Sequence, residues 1–384
     1  MSRVAVSTSV IRWARERSAR RASALARRFP NLDLWESGDA QPTLRQLEDL
    51  AKATLVPFGY FFLPEPPEDR LPIPEYRTVA DTSVRRPSPE LLETVQTMQR
   101  RQAWMREFLI EEGQPPLPFV ASARTTADPA SVASEMRELL RMEADWAQHH
   151  ATWTDALRDL RDSIEQADIL VVANGVLGNN THRKLDPSEF RGFVLADEYA
   201  PLIFVNAADG KAAQMFTLAH EVAHLWFGQS AAFDLRDLQP ASDEIERVCN
   251  RVAAEFLIDE QELRAYWPQA QREPEPIQEL ARHFKVSALV AARRALDLRF
   301  LTEDEFLEFY HTYQADERRK AAKTGGGGDF FATQDGRVGR RFARAVIQAA
   351  KEGRLLYHDA YKLTGLYGKT FDSYAEALGT GPSQ

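Results

Sequence analysis

Apolar residues recur at helical spacing over most of the chain. One such run begins at Thr43, where Thr43 and Gln46 form the T-x-x-Q capping box that starts a helix. Residues 90–112 predict a longer helix, and helical spacing returns beyond residue 260. Further helices are predicted from about Ser9, from about Arg20, and over 131–147 and 152–166. The chain is therefore predicted to be mainly helical.

The pattern changes at residue 167, where ADILVVANG predicts a short strand. Residues 190–207, FRGFVLADEYAPLIFVNA, predict a hairpin that turns near Asp197–Glu198. Residues 212–228 follow directly and are strongly helical. A small mixed sheet that leads straight into a buried helix predicts an α+β fold.

Local composition divides the chain into four regions. Residues 1–63 hold short helices joined by tight turns, typical of a helix-turn-helix domain. Residues 64–89 carry seven prolines and predict a linker. Residues 90–300 form the main domain, in which 276–296 predict either a second helix-turn-helix or an ordinary helical hairpin. The glycine run 325–328 predicts a flexible hinge, which opens a small helical module over 325–384.

Composition excludes several classes of protein. The 384 residues carry a net charge of −9, which argues against a protein that coats nucleic acid. A single cysteine excludes an intramolecular disulfide framework and fits a reducing compartment. No apolar run approaches the roughly 20 residues of a membrane helix, and the first 30 residues lack the apolar region of a signal peptide. We therefore expect a cytoplasmic protein with no membrane partner.

Residues 216–225, FTLAHEVAHL, contain the H-E-x-x-H motif in apolar surroundings. Helical spacing places His220 and His224 on one face, so both imidazoles can converge on one ion. Zinc suits imidazole nitrogen, and a catalytic zinc site uses three protein ligands and leaves one position for water. Glu221 lies next along the helix and is expected to act as the general base that activates this water. The motif therefore predicts a zinc-dependent hydrolase.

The third zinc ligand has to come from elsewhere, and the acidic amphipathic helix over 242–259 is the candidate. Glu246 is favoured because Asn250 follows one turn later and could orient a ligand. Glu244 and Glu255 remain alternatives. Cys249 is excluded as a ligand, since a free cysteine in an apolar helix more often acts as a small hydrophobe.

Two residues before the hairpin, His182 and Arg183, are weaker candidates for the site. They could approach the substrate of the predicted hydrolase, because edge strands of metalloproteases often hold an extended peptide by β-augmentation. More commonly, such a pair simply lies in a solvent-exposed loop.

FTLAHEVAHLW followed by EIERVCNRVAAEFLI resembles the ImmA/IrrE family of bacterial metallopeptidases, over about residues 8–300. The resemblance implies a zincin-like core in which His220, His224 and Glu246 bind zinc and Glu221 is the general base. It also implies an intracellular protease linked to regulated cleavage of Xre-type repressors in stress responses and mobile elements. Cys249 departs from the usual family pattern, and the resemblance assigns no function to the last 60 residues.

Residues 8–63 resemble an Xre-type repressor domain, a common companion of that family. One departure lies between LARRF (25–29) and WESG (35–38), where only five residues stand. Xre-type domains place a longer segment there, which contains the recognition helix that enters the major groove. The short segment favours a domain kept for packing or protein contact over one that touches DNA.

Two functions follow from these patterns. The first is a zinc endopeptidase that cleaves a regulatory protein, an Xre-type repressor or antitoxin-like partner. The second is a DNA-binding regulator or antitoxin whose zinc site is structural or rarely active; Arg293 and Arg294 would then contact DNA. The first is preferred, because a purely structural zinc ion would not need Glu221.

Overall fold

The computed structural model describes residues 3–18, 22–67, 75–76, 87–143, 145–233, 244–315 and 330–379. Most of the predicted linker 64–89, the glycine run 325–328 and residues 242–243 of the predicted acidic helix lie outside these ranges. The chain divides into two compact units, residues 1–72 with 83–93 and residues 73–82 with 94–384.

The first unit contains four short helices and a 3₁₀ turn. The helices are α1 (Thr8–Arg17), α2 (Ala22–Arg28), α3 (Leu32–Ser37) and α4 (Leu44–Thr54), and the turn covers Phe58–Phe62. Val10, Leu47 and Leu50 are fully buried in its core. The predicted capping box is present, because Thr43 and Gln46 bond reciprocally at the start of α4. The third helix is only six residues long.

The second unit is built around a five-stranded mixed sheet. Its strands are β1 (Glu75–Tyr76), β2 (Leu170–Asn174), β5 (Gly192–Leu195), β6 (Leu202–Asn206) and β7 (Ala231–Phe233), in the order β1-β7-β5-β6-β2. Strand β5 pairs antiparallel with both β6 and β7, whereas β2–β6 and β1–β7 are parallel. The strands β3 (Val176–Leu177) and β4 (Asn180–Lys184) form a separate hairpin.

Helices cover the sheet and make up most of this unit. Before β2 lie α5 (Pro89–Glu111), α6 (Pro129–Leu140) and α7 (Trp153–Gln166). After β6 follow α8 (Lys211–Trp226), α9 (Glu244–Leu257), α10 (Glu260–Ala270), α11 (Pro276–His283), α12 (Ala288–Asp297) and α13 (Glu303–Ala315). Helix α8 packs against β5 and β6 on one side and against α7 and α9 on others. A mainly helical chain with a small mixed sheet confirms the predicted α+β class.

The β5–β6 hairpin is fixed by helix α5. The Gln102 amide donates to the carbonyl oxygens of Leu195 and Ala200, at 2.8 Å and 3.0 Å. Arg106 donates to Asp197 at 2.9 Å. The hairpin turn lies where the sequence predicts it, and side chains of α5 hold both of its ends.

The C-terminal region forms four helices, α14 (Phe330–Val338), α15 (Arg340–Lys351), α16 (Tyr357–Thr364) and α17 (Lys369–Ala377). Helix α14 packs against β2, the last strand of the sheet. Two glycines allow the close approach: a Cβ on Gly336 would lie 3.1 Å from the carbonyl oxygen of Ala173, and one on Gly339 would lie 2.9 Å from that of Val171. The module thus covers an edge that would otherwise expose unpaired backbone groups.

The segment 276–296 is a helical hairpin within the core of the second unit. Phe284 and Val286, at its turn, are each 1% exposed. Arg294 is also buried: its Nε donates to the carbonyl oxygen of Ile258 at 3.1 Å, and its guanidinium pairs with Glu255. The DNA-binding alternative would require Arg294 to contact DNA, whereas in this structure Arg294 holds α12 against the end of α9.

Candidate metal centre

Helix α8 is buried along almost its whole length, from Gln214 to Trp226. It follows β6 after four residues and packs against β5 and β6. His220 and His224 are four residues apart and therefore project from one face. Their Nε2 atoms lie 2.9 Å apart, and both side chains are completely shielded from solvent.

Glu246 brings a carboxylate to both imidazoles from the first turn of α9. Its Oε2 atom lies 3.2 Å from Nε2 of His220, and its Oε1 atom lies 3.1 Å from Nε2 of His224. The ligating atoms of the three residues all lie within 4.8 Å of one another. Two imidazole nitrogens and one carboxylate oxygen are the donor set that a catalytic zinc ion uses, so these residues fit a bound metal ion.

Electrostatics within the cluster keep Glu246 ionised. Burial alone would raise the pKa of this carboxyl group, but His220 and His224 outweigh burial and lower the pKa to about 2. Burial lowers the pKa of His220, against the opposing charge of Glu246. A neutral imidazole beside an anionic carboxylate is the protonation state that metal binding requires.

Asn250 lies one helical turn beyond Glu246, and its side chain opposes the lowering of the pKa of His220 by burial. The sequence places it in this position through the E-x-x-x-N spacing on α9. A polar partner of this kind fixes the orientation of a ligand ring.

Glu221 lies beside the cluster and is not one of its three ligating residues. The side chain is fully buried, and neither carboxylate oxygen has a hydrogen-bond partner among the described residues. Burial and the neighbouring charge of Glu246 raise its pKa well above the ordinary value. A buried, unpartnered carboxyl group is costly unless the site uses it, so Glu221 has the features of a functional acid–base group.

Gly192, the first residue of β5, is the part of the site that our sequence predictions missed. A Cβ at this position would lie 3.2 Å from Oε1 of Glu221 and 2.5 Å from Cγ2 of Thr217. The strand backbone can therefore approach the glutamate only because this residue has no side chain. The available signal was a glycine inside an otherwise apolar strand pattern, which often marks such an approach.

The alternative ligands lie elsewhere. Glu255 is paired with Arg294 and accepts a hydrogen bond from the backbone N–H of Glu260 at 3.2 Å. Glu244 is exposed at the start of α9. Cys249 is buried among apolar residues, in line with its predicted role as a small hydrophobe. Glu246 is thus the one of the three glutamates that the structure brings to the histidines.

His182 and Arg183 lie on β4, in the separate two-stranded hairpin. His182 is exposed, and neither residue belongs to the group of metal-ligating side chains found in the described part of the chain. The turn of this hairpin instead contacts the C-terminal module, because the Asn179 amide donates to the carbonyl oxygen of Gly365 at 2.9 Å.

A buried helix carrying H-E-x-x-H, joined by a carboxylate from the next helix, defines the class of site found in metallopeptidases. Residues 164–296, 133 of the 384 in the chain, match the family model of the IrrE N-terminal-like domain, peptidase family M78. The match includes all four site residues named above and supports a relation of this region to the ImmA/IrrE metallopeptidases. Residues 338–377 match a model described as a domain of unknown function, DUF8813.

Searches of curated proteins and of solved structures gave no match for this chain. In the described part of the chain, no helix combines the length and apolarity needed to cross a membrane.

Proposed function

We propose that this protein is a zinc-dependent endopeptidase that cleaves a regulatory protein, an Xre-type repressor or an antitoxin-like partner. The observation that carries the proposal is the convergence of His220, His224 and Glu246, with Glu221 adjacent but unpartnered. A structural metal site would need the first three residues only. The fourth is a buried acid–base group that has no evident structural partner, and peptide hydrolysis gives it a role.

Each residue has a distinct task in this proposal. His220, His224 and Glu246 hold the zinc ion. When bound, zinc would lower the pKa of a water molecule toward about 7 and polarise the scissile carbonyl group. Glu221 accepts the proton of the attacking water at its carboxylate and then passes that proton to the departing amine. Asn250 keeps the ring of His220 in its ligating orientation.

The first unit supports a protein partner rather than DNA. Its third helix, α3, carries the exposed Asp33 and no basic residue, so it offers no positive charge to phosphate. Arg15 on α1 is paired with Glu36 at 3.0 Å, which removes part of the basic character of that helix. Leu34 on α3 is 44% exposed and is available for an apolar contact. Docking of a repressor or antitoxin-like protein on this unit accounts for these features.

The test measures metal content and cleavage together. Wild type and Glu221→Gln are purified, their zinc content is determined, and each is incubated with a labelled Xre-type repressor encoded beside this gene. We expect both proteins to bind one zinc ion and the variant to cleave at least ~100-fold more slowly, because it lacks the general base. Glu244→Gln, an exposed change on α9, is the control and should cleave like the wild type. Equal rates for wild type and Glu221→Gln would contradict the proposal.

The DNA-binding alternative has its own measurement. It requires a mobility shift that weakens with salt and that is lost on replacing the exposed Arg293. We expect no such shift, because Arg294 is buried and α3 is acidic.

A further inference from the structure

The candidate site is closed in this structure. His220, Glu221 and His224 are 0% exposed, and Glu246 is 3% exposed. A peptide bond of another protein has to reach Glu221 if the proposed function holds, and the present inference rests on that function. Some element that covers the glutamate therefore has to move.

Strand β5 approaches Glu221. The contact is made by Gly192, whose α-carbon faces the carboxylate. One edge of β5 is joined to β6 through four residue pairs, and β6 leads directly into α8. That edge belongs to the scaffold of the site and is not free to open.

The other edge of β5 is taken by β7. The two strands run antiparallel, with Gly192 opposite Phe233, Phe193 opposite Ala232 and Val194 opposite Ala231. On its far side β7 pairs with β1, which is only two residues long. The layer next to β5 therefore consists of one three-residue strand supported by one two-residue strand. Such short ladders open locally at low free-energy cost.

Extended peptides commonly bind by adding a strand to an open sheet edge, where backbone hydrogen bonds supply the affinity. If the proposed function holds, a strand added to β5 at Gly192 would run beside the backbone that contacts Glu221. Strand β7 already holds this position. We propose that β7 is an internal occupant of the substrate-binding edge, an autoinhibitory strand that must leave β5 before an extended substrate segment can enter.

A reversible cross-link tests this proposal in the full-length protein. Val194→Cys combined with Ala231→Cys joins β5 to β7, since directly paired residues lie within disulfide reach. The matched control combines Val194→Cys with Ile203→Cys, which ties the same position of β5 to β6 and leaves β7 free. Each is compared oxidised and reduced. The native Cys249 is buried and is present in all forms.

Two readouts separate this proposal from the peptidase proposal. The first readout is binding of fluorescein-labelled casein, an unfolded protein, measured by anisotropy with proteins that also carry Glu221→Gln. The second readout is hydrolysis of the same casein, measured with zinc-loaded proteins that retain Glu221. We expect oxidation of the β5–β7 pair to weaken casein binding at least ~10-fold, while oxidation of the β5–β6 pair leaves it unchanged. Equal binding by the oxidised and reduced β5–β7 forms overturns the autoinhibitory strand, whatever the hydrolysis shows. Binding that responds as expected, without hydrolysis in any form, supports the strand and contradicts the peptidase.

A proline variant tests the same proposal in the opposite direction, because it weakens the pairing of β7 with β5 where the cross-link strengthens it. Ala231→Pro, at the start of β7, removes the backbone donor that faces Val194 and should weaken the pairing with β5. We expect casein to bind this variant at least ~10-fold more tightly than the wild type, with faster hydrogen exchange at the amides of Gly192 and Val194, which face β7. Unchanged binding together with faster exchange would mean that β7 leaves β5 without uncovering a peptide site, and would overturn the proposal.

Discussion

Gly192 and Glu221 stand in direct apposition, with the backbone of β5 against the carboxylate of α8. A single methyl group on Gly192 would lie 3.2 Å from Oε1 of Glu221 and 2.9 Å from the carbonyl oxygen of Phe204. The sheet and the H-E-x-x-H helix are thus packed so closely that no side chain fits between them at residue 192. The position of the proposed general base depends on that contact.

Gly192→Ala is therefore expected to disturb both stability and activity. The added Cβ would also meet Cγ2 of Thr217 at 2.5 Å, so β5 or α8 has to shift. We expect a loss of about 1–3 kcal/mol in the free energy of unfolding, measured with denaturant, and a lower rate of cleavage. Thr217→Ser removes that methyl group while keeping the hydroxyl that donates to Ala213, and should restore part of both losses. A fully stable, fully active Gly192→Ala protein would contradict this account.

Metal binding should depend on Glu246 and not on its neighbour Glu244. Glu246→Gln replaces an anionic ligand with a neutral amide, while Glu244→Gln changes an exposed acid in the same turn of α9. Groups that only support a metal ligand already contribute about 10–100-fold to affinity. We expect Glu246→Gln to weaken zinc affinity by more than ~100-fold in a competition with a coloured chelator. Equal affinities for the two variants would remove Glu246 from the ligand set.

The convergence of the two histidines could be predicted because its main signals are local. The spacing of His220 and His224 places both on one helical face in any α-helix, and the apolar residues around them predict burial. Glu246 was harder, since Glu244 and Glu255 occur in the same helix. Only the tertiary structure separates them: Glu255 is neutralised by Arg294 of α12, a partner distant in sequence.

The fold was predictable where apolar runs are long enough to show a period. The runs that became β2, β5 and β6 predicted strands, and the turn near Asp197 was expected. Strands β1 and β7 have two and three residues, too few for any alternation to appear. They exist because a neighbouring strand offers them a hydrogen-bonding edge. Gly192 was missed for a related reason. Its role depends on Thr217 and Glu221 of α8, which pack against it only in the folded protein.

The burial of Arg294 leads us to predict that two neighbouring arginines of α12 contribute very differently to stability. Its guanidinium pairs with the buried Glu255, and burial lowers the pKa of Arg294 to about 10, still well above neutrality. Arg294→Ala leaves an uncompensated carboxylate in the core and should cost about 3–5 kcal/mol of unfolding free energy. Arg293→Ala, next along the same helix, breaks only a partly exposed pair with Asp297 and should change stability by less than ~0.5 kcal/mol. Thermal denaturation of both variants checks the contrast, and similar melting temperatures would show that Arg294 is not a structural anchor.

Glu165 should give the protein a measurable pH dependence of stability. This residue lies near the end of α7, and the backbone N–H of Arg341 in α15 donates to its Oε1 atom at 3.4 Å. Burial raises the pKa of the carboxyl group from 4.5 to about 7, in spite of that hydrogen bond and the charge of Arg161. The folded protein therefore keeps a proton here that the unfolded chain releases at lower pH.

The sign of the effect follows from this difference in proton binding. Below about pH 4.5 both states hold the proton, so the protonated side chain contributes its full stability. As the pH rises from 4.5 to 7 the unfolded chain alone loses the proton, and stability falls by up to ~3 kcal/mol before levelling off. Glu165→Gln imitates the protonated acid at every pH. Relative to the wild type, we expect this variant to be equal in unfolding free energy at pH 4.5 and more stable above pH 7, as measured by urea titrations across the range. If the difference in unfolding free energy between wild type and variant stays constant with pH, the pKa of Glu165 has its ordinary value. The contact between α7 and α15 would then carry no such electrostatic cost.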